Sequence, residues 1–128
     1  KIASDGERVD TKPNVVRNVI SAQTANTVSA MMVSVVENGH GKKAGVPGYY
    51  IAGKTGTAQV ANTSHTGYDP TQSIGSFVGF GPVDNPRFAM IVKINDPKDV
   101  SLAETTAAPA FGEIAQFILN YYQVPKSR

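Results

Sequence analysis

The stretch Gly53-Lys54-Thr55-Gly56-Thr57-Ala58-Gln59 sets one ammonium and two hydroxyls close together. As an extended strand it puts Thr55, Thr57 and Gln59 on one face, because successive side chains alternate. Two hydroxyls beside a lysine suit a carboxylate: each donates one hydrogen bond, and the ammonium adds a charge-assisted one. Gly53 and Gly56 add no side chain. Glycine inside a strand often marks close approach of a ligand or of another backbone. At a sheet edge, the free N–H groups of such a strand can hold a substrate oxygen or pair with an extended peptide.

Other patterns compete for the same residues. Gly48-Tyr49-Tyr50-Ile51-Ala52-Gly53-Lys54-Thr55 satisfies the P-loop formula for nucleotide phosphates. A P-loop follows a buried strand and opens a helix, yet residues 39–48 are polar and glycine-rich, and Tyr-Tyr-Ile-Ala favours a strand. Gly56 would also weaken a helix start. Gly39, Gly41 and Ala44 make a faint dinucleotide-type match, but it follows a helix where a strand is needed. His40 and His65 fall in loops without a second ligand at metal spacing, so both read as surface histidines. A triad of His65, a serine and Asp69 has nothing in the sequence to orient it. No metal and no cofactor is expected.

The elements that must position these residues follow from periodicity and punctuation. Val15, Val16, Val19 and Ile20 suggest an extended, strand-like stretch after an Asp5-Gly6 turn and the break at Pro13. Residues 24–38 read as an amphipathic helix whose stripe is Val28, Met31, Met32, Val35 and Val36, with the Met pair expected in the core. Ser21 or Thr24 caps its start, and Gly39 is expected to stop it in the left-handed conformation. Residues 39–48 form a loop, 49–60 a strand and 61–73 a polar connector. Strands follow at 74–81 and at Phe88–Ile94, separated by the Pro82–Pro86 turn; the last is apolar enough to predict a buried central position. Short connectors imply an antiparallel meander. After a polar loop at 95–103, a helix from Thr106 to Tyr122 carries Pro109 in its first turn and the stripe Phe111, Ile114, Ala115, Ile118 and Tyr122, and Pro125 stops it. One sheet edge is expected to meet strands from outside this chain.

Composition narrows the function classes. The chain has 128 residues, 41% hydrophobic and 17% charged, which is ordinary globular make-up for one domain or part of one. Its net charge of +2 is scattered, which argues against a nucleic-acid partner. With no cysteine it has no disulfide, thiolate metal site or cysteine nucleophile. No apolar run is long enough to span a membrane. The first residue is Lys, so a processed or truncated piece of a longer product is expected.

Lys54-Thr55-Gly56 resembles the third motif of the serine acyl-transferases that include penicillin-binding proteins and class A β-lactamases. Val46-Pro47-Gly48-Tyr49 before it is similar to the class B penicillin-binding pattern. So are Ser76-Phe77-Val78-Gly79-Phe80 with Pro82, the Asp84-Asn85-Pro86-Arg87 turn, and Ala108-Pro109 with Phe111. The resemblance runs from residue 13 onward. It implies an α/β (α+β type) fold, an antiparallel sheet flanked by helices, with residues 1–128 as the C-terminal portion of a transpeptidase domain.

That resemblance also implies roles. Lys54 would hold the hydrogen-bond network and positive field. Thr55 and Thr57 would bind the carboxylate of a peptidoglycan stem peptide or of a β-lactam. The Thr57 N–H would be an oxyanion donor, and Gly56 and Gln59 would lie against substrate. The family also needs Ser-x-x-Lys and Ser-x-Asn motifs, and no serine of this chain has Lys three residues on or Asn two residues on. Those motifs would come from the missing N-terminal portion of the domain, in the same polypeptide or a second chain, and this chain alone would be inactive. The implied setting is extracytoplasmic, with an upstream membrane anchor and a division role favoured over elongation. The non-enzymatic alternative is a module that binds a peptide along an edge strand.

Overall fold

The computed structural model describes residues 6, 8, 14–98 and 102–128. Asp5 and Pro13, and so the turn and break expected there, lie outside the described residues, as do residues 99–101 of the polar loop. The element order is α1 (Ala22–Asn38), a 3-10 turn (Lys42–Ala44), β1 (Ala52–Ala61), β2 (Tyr68–Gly81), β3 (Phe88–Asn95) and α2 (Ala107–Tyr121). The strands form an antiparallel sheet in the order β1-β2-β3, the meander that short connectors imply.

One face of the sheet carries the core. Phe77 pairs with Thr55 on β1 and with Val92 on β3, so all three point the same way. Phe77 is fully buried against Phe111 of α2, ring centroids 4.7 Å apart and tilted by 59°. Phe88, Met90, Val92 and Ile94 pack on the same cluster. The opposite face is bare where Lys54, Val78 and Ile91 lie side by side; Ile91 is 66% exposed.

This arrangement corrects several expectations. Phe88–Asn95 is an edge strand, not a central one: alternate residues are half-buried and exposed, since α2 covers only one side. The polar connector at 61–73 shrinks to residues 62–67, because Tyr68 onward extends β2 and pairs with Ala61 and Val60 past an irregularity in the register. Residues 14–20 join no strand, and Val15, Val16, Val19 and Ile20 are exposed. On α1 only Val36 of the predicted stripe is buried; Met31 is 63% exposed, so the Met pair is not core. On α2 the buried line is Ala108, Phe111, Ala115 and Leu119, whereas Ile114 and Tyr122 face outward.

The helix ends also differ from expectation. Ser21 caps α1, its Oγ accepting from the Thr24 N–H at 3.1 Å. Gly39 ends α1 at φ −108°, not in the left-handed region. Its glycine serves space: an added Cβ would lie 3.0 Å from the Val35 carbonyl oxygen, which accepts from both the Gly39 and Gly41 N–H groups. The left-handed stop occurs instead at Gln123, φ 49°, after α2. There the Gln123 N–H donates to Asn120 O and the Val124 N–H to Leu119 O, the paired bonds of a Schellman end.

From that end the chain returns as a strap. Val124 O accepts from the Tyr49 hydroxyl at 2.6 Å, and Gly48 O accepts from the Ser127 N–H at 3.0 Å. The Arg128 guanidinium grips both carboxylate oxygens of Glu37 on α1, at 2.7 and 3.0 Å, and lies 4.6 Å from the Tyr50 ring centroid. The strap therefore fixes the 48–50 turn from which β1 departs. Tyr49 is 4% exposed, and removing its hydroxyl takes the donor from the half-buried Val124 carbonyl. Tyr49→Phe is expected to lower unfolding free energy by about 1 kcal/mol, read as a lower urea midpoint at unchanged slope.

Candidate functional site

Lys54, Thr55, Gly56, Thr57 and Gln59 all lie in β1, the strand at one end of the sheet among the described residues. No helix follows Lys54-Thr55, so the P-loop alternative has no structural footing. Thr55 and Thr57 share the face that bears Phe77, but they emerge beside α2's leading loop. With His40, Leu102, Ala103 and Glu104 they line a recess of about 190 Å³.

The hydrogen bonds at this recess set the polarity of both hydroxyls. Thr55 Oγ1 accepts from Lys54 Nζ at 3.2 Å, and the same ammonium donates to Thr55 O at 2.8 Å. Thr57 Oγ1 accepts from the Ala103 N–H at 3.5 Å. A threonine hydroxyl has a single proton to donate. With an incoming donor on each oxygen, both protons are free to point toward an external acceptor. The two hydroxyls thus line the recess with protons to offer an anion, and the Lys54 ammonium, whose residue belongs to the other face of the sheet, reaches round the strand to Thr55 beside them. Lys54 and Thr57 are exposed and Thr55 is half-buried. Gln59 is exposed further along the same face and does not line the recess.

The two glycines have a reason other than ligand approach. A Cβ on Gly53 would come within 2.4 Å of the Phe77 ring. One on Gly56 would lie 2.8 Å from Ser76 Oγ, which donates to Gly56 O at 3.3 Å. The sheet's own packing accounts for both.

His40 and Glu104 enter the site unannounced by the sequence. His40 Nδ1 lies 2.6 Å from Glu104 Oε2, joining the loop after α1 to the loop before α2. His40 is exposed, as a surface histidine should be, but it is bonded. Sixty-four residues separate the partners, so no local spacing could have paired them. His65 contacts Asn62 and Ser64, while the Asp69 carboxylate accepts from the Thr71 N–H and hydroxyl at 2.8 and 2.6 Å. The Thr71 hydroxyl, then its N–H, hold the Asp69 carboxyl below its ordinary range. Asp69 thus faces Thr71, and the imagined triad is not assembled. Among the described residues no three His, Cys, Asp or Glu side chains gather as a metal site, and no helix is long and apolar enough to cross a membrane.

Comparison with known proteins places this geometry. The family described as the penicillin binding protein transpeptidase domain matches residues 1–116. Penicillin-binding protein PbpB of Mycobacterium tuberculosis is 38% identical over 98% of the chain and 20% of its own length. A probable peptidoglycan D,D-transpeptidase, PbpC of Pseudomonas aeruginosa, is 34% identical over 96% of the chain and 23% of its own. The crystal structure of penicillin binding protein 3 from Mycobacterium tuberculosis, complexed with ampicillin, superposes with a TM-score of 0.82 at 38% identity, covering 98% of this chain and 30% of that one. The chain spans about a fifth of the length of these curated relatives.

Proposed function

The chain belongs to the penicillin-binding protein transpeptidase domain family, and we propose that it supplies the carboxylate-binding and oxyanion strand of a peptidoglycan D,D-transpeptidase. Residues 1–128 are the C-terminal portion of that domain. A serine outside this chain attacks the D-Ala–D-Ala amide carbonyl. The amide C–N bond breaks, D-Ala leaves with the added proton, and an ester joins the stem peptide to the serine. The amine of a second stem peptide then displaces the serine, which recovers its proton. A β-lactam enters the first step and stays as the acyl-enzyme.

The observation that carries this reading is the donor cluster on β1: two hydroxyls with their protons free, beside an ammonium. Thr55 and Thr57 grip the terminal carboxylate of the donor peptide, and Lys54 supplies the positive field. The Thr57 N–H meets the developing oxyanion, where one donor is worth on the order of 3 kcal/mol in the transition state. Gly56 and Gln59 run along the bound peptide. The bare sheet face around Val78 and Ile91, and exposed Val28 and Met31 on α1, support a layer contributed by the serine-bearing part of the domain. The protein acts outside the cytoplasmic membrane, held by an anchor beyond this chain, and division is the favoured setting.

A fluorescent penicillin tests the reading. This chain alone should show no covalent labelling, and its folded complex with the serine-bearing part should be labelled. A folded complex that resists labelling would argue for different chemistry.

A further inference from the structure

Thr57 is oriented from outside its own strand. The Ala103 N–H that reaches Thr57 Oγ1 belongs to the segment between β3 and α2. Within that segment Leu102 O accepts from the Thr105 N–H and from the hydroxyls of Thr105 and Thr106, which makes residues 102–106 a compact turn. Thr106 Oγ1 also fills the space above Gly75, where a Cβ would lie 2.7 Å from it; Gly75 is the cross-strand partner of Thr57. The turn therefore sits directly on the Thr57 register position. What fastens it to the remaining wall of the recess is the His40 Nδ1–Glu104 Oε2 contact at 2.6 Å. Both residues line the Thr55–Thr57 recess, and both also line a neighbouring recess of about 250 Å³ with Lys42 and Lys43. The pair is the partition between them.

We propose that His40 and Glu104 form a positioning pair that holds the 102–106 turn over Thr57, so that its hydroxyl proton is aimed at the substrate carboxylate. This rests on the proposed transpeptidase reading and deepens it: selectivity for a carboxylate-bearing acyl donor is set in part by two loop residues that never touch the reacting carbonyl. The link requires a proton on His40 Nδ1, because the Glu104 carboxylate only accepts. When His40 Nε2 is bare the imidazole is neutral, so the link needs no net charge on the ring. The Glu104 carboxylate stands close to a site that receives another carboxylate. Its bond to His40 ties up Oε2 on the loop side of the recess.

The test uses the protein that carries this chain together with its serine-bearing part. Acylation rates are compared for benzylpenicillin and for its methyl ester, which lacks the anion. His40→Ala should slow acylation by the acid about two- to fivefold, the size of an exposed charge-assisted link, and leave the ester rate unchanged. His40→Gln keeps an N–H donor and should restore most of the acid rate. In a Glu104→Ala background, His40→Ala should have no further effect. A purely structural role would slow acid and ester alike, and that result, or an acid-to-ester ratio unmoved by His40→Ala, overturns the positioning pair. Wild-type protein that penicillin never acylates would instead overturn the transpeptidase reading itself.

Discussion

Phe111→Ala should remove about 3–5 kcal/mol of unfolding free energy, the range for deleting a buried aromatic side chain. The ring is fully buried and joins both layers of the fold. It stands 4.7 Å from Phe77 and 6.1 Å from Phe88, centroid to centroid, in tilted contacts that add to the area effect. The backbone has been drawn in around it: a Cβ on Gly79 would come within 2.9 Å of Phe111 Cζ. Strands paired this tightly cannot collapse into the void, so the cost belongs at the upper end. Domains have only about 5–15 kcal/mol to lose, and one substitution takes a large fraction. The effect should also reach the site, since Phe77 lies directly opposite Thr55. Phe117→Ala is the control. That ring is 68% exposed on the same helix, and its loss should cost within about 0.5 kcal/mol. Urea unfolding of both variants decides the matter. A Phe111→Ala loss below about 1 kcal/mol would mean that the two layers are not held together here.

The contrast between Phe111 and its neighbours shows what a sequence can and cannot say. Alternation and short connectors made the antiparallel meander legible, and Ser21 and Pro109 marked helix starts from local chemistry alone. Which side of a helix is covered is a tertiary fact. The α1 stripe was sound as periodicity, yet among the described residues only Val36 of it is buried, and Met31 and Val28 are exposed. The apolar run of β3 looked central, although Lys93 already sat on the face that proves to be open. The Tyr68–Ser73 segment looked like a connector by composition, but its backbone extends the pairing with β1. At the site, β1 and its threonine face were legible because strand geometry is local. The turn that meets Thr57 was not, because Ala103 and Glu104 carry no signature and His40 finds its partner only after folding. Gln123 in the left-handed region was likewise invisible, for a glycine would have been the expected residue.

Thr55→Val and Thr57→Val should each slow β-lactam acylation of the complete protein by about ten- to a hundredfold. Valine keeps the branched shape of threonine and removes only the hydroxyl, so β1 and its packing stay in place. What is lost is a hydrogen bond to an ionised acceptor, worth about 1.5–3 kcal/mol. The two positions are not equivalent. At Thr55 the oxygen accepts only from Lys54, an exposed ammonium that water can satisfy. At Thr57 the donor is instead the N–H of buried Ala103, which Val would leave without an acceptor. Thr57→Val should therefore carry an added stability loss of about 1 kcal/mol that Thr55→Val lacks. Thr57→Ser, which keeps both acceptor and donor, should recover most of the rate and all of that stability. The double Val variant should fall short of the product of the two single effects, because both hydroxyls meet one carboxylate and losing the first already loosens it. Second-order acylation rates at sub-saturating β-lactam, set beside urea midpoints for the same variants, separate the two contributions. Rates unchanged in both single variants would strip the donor cluster of the role assigned to it and leave β1 an inert edge.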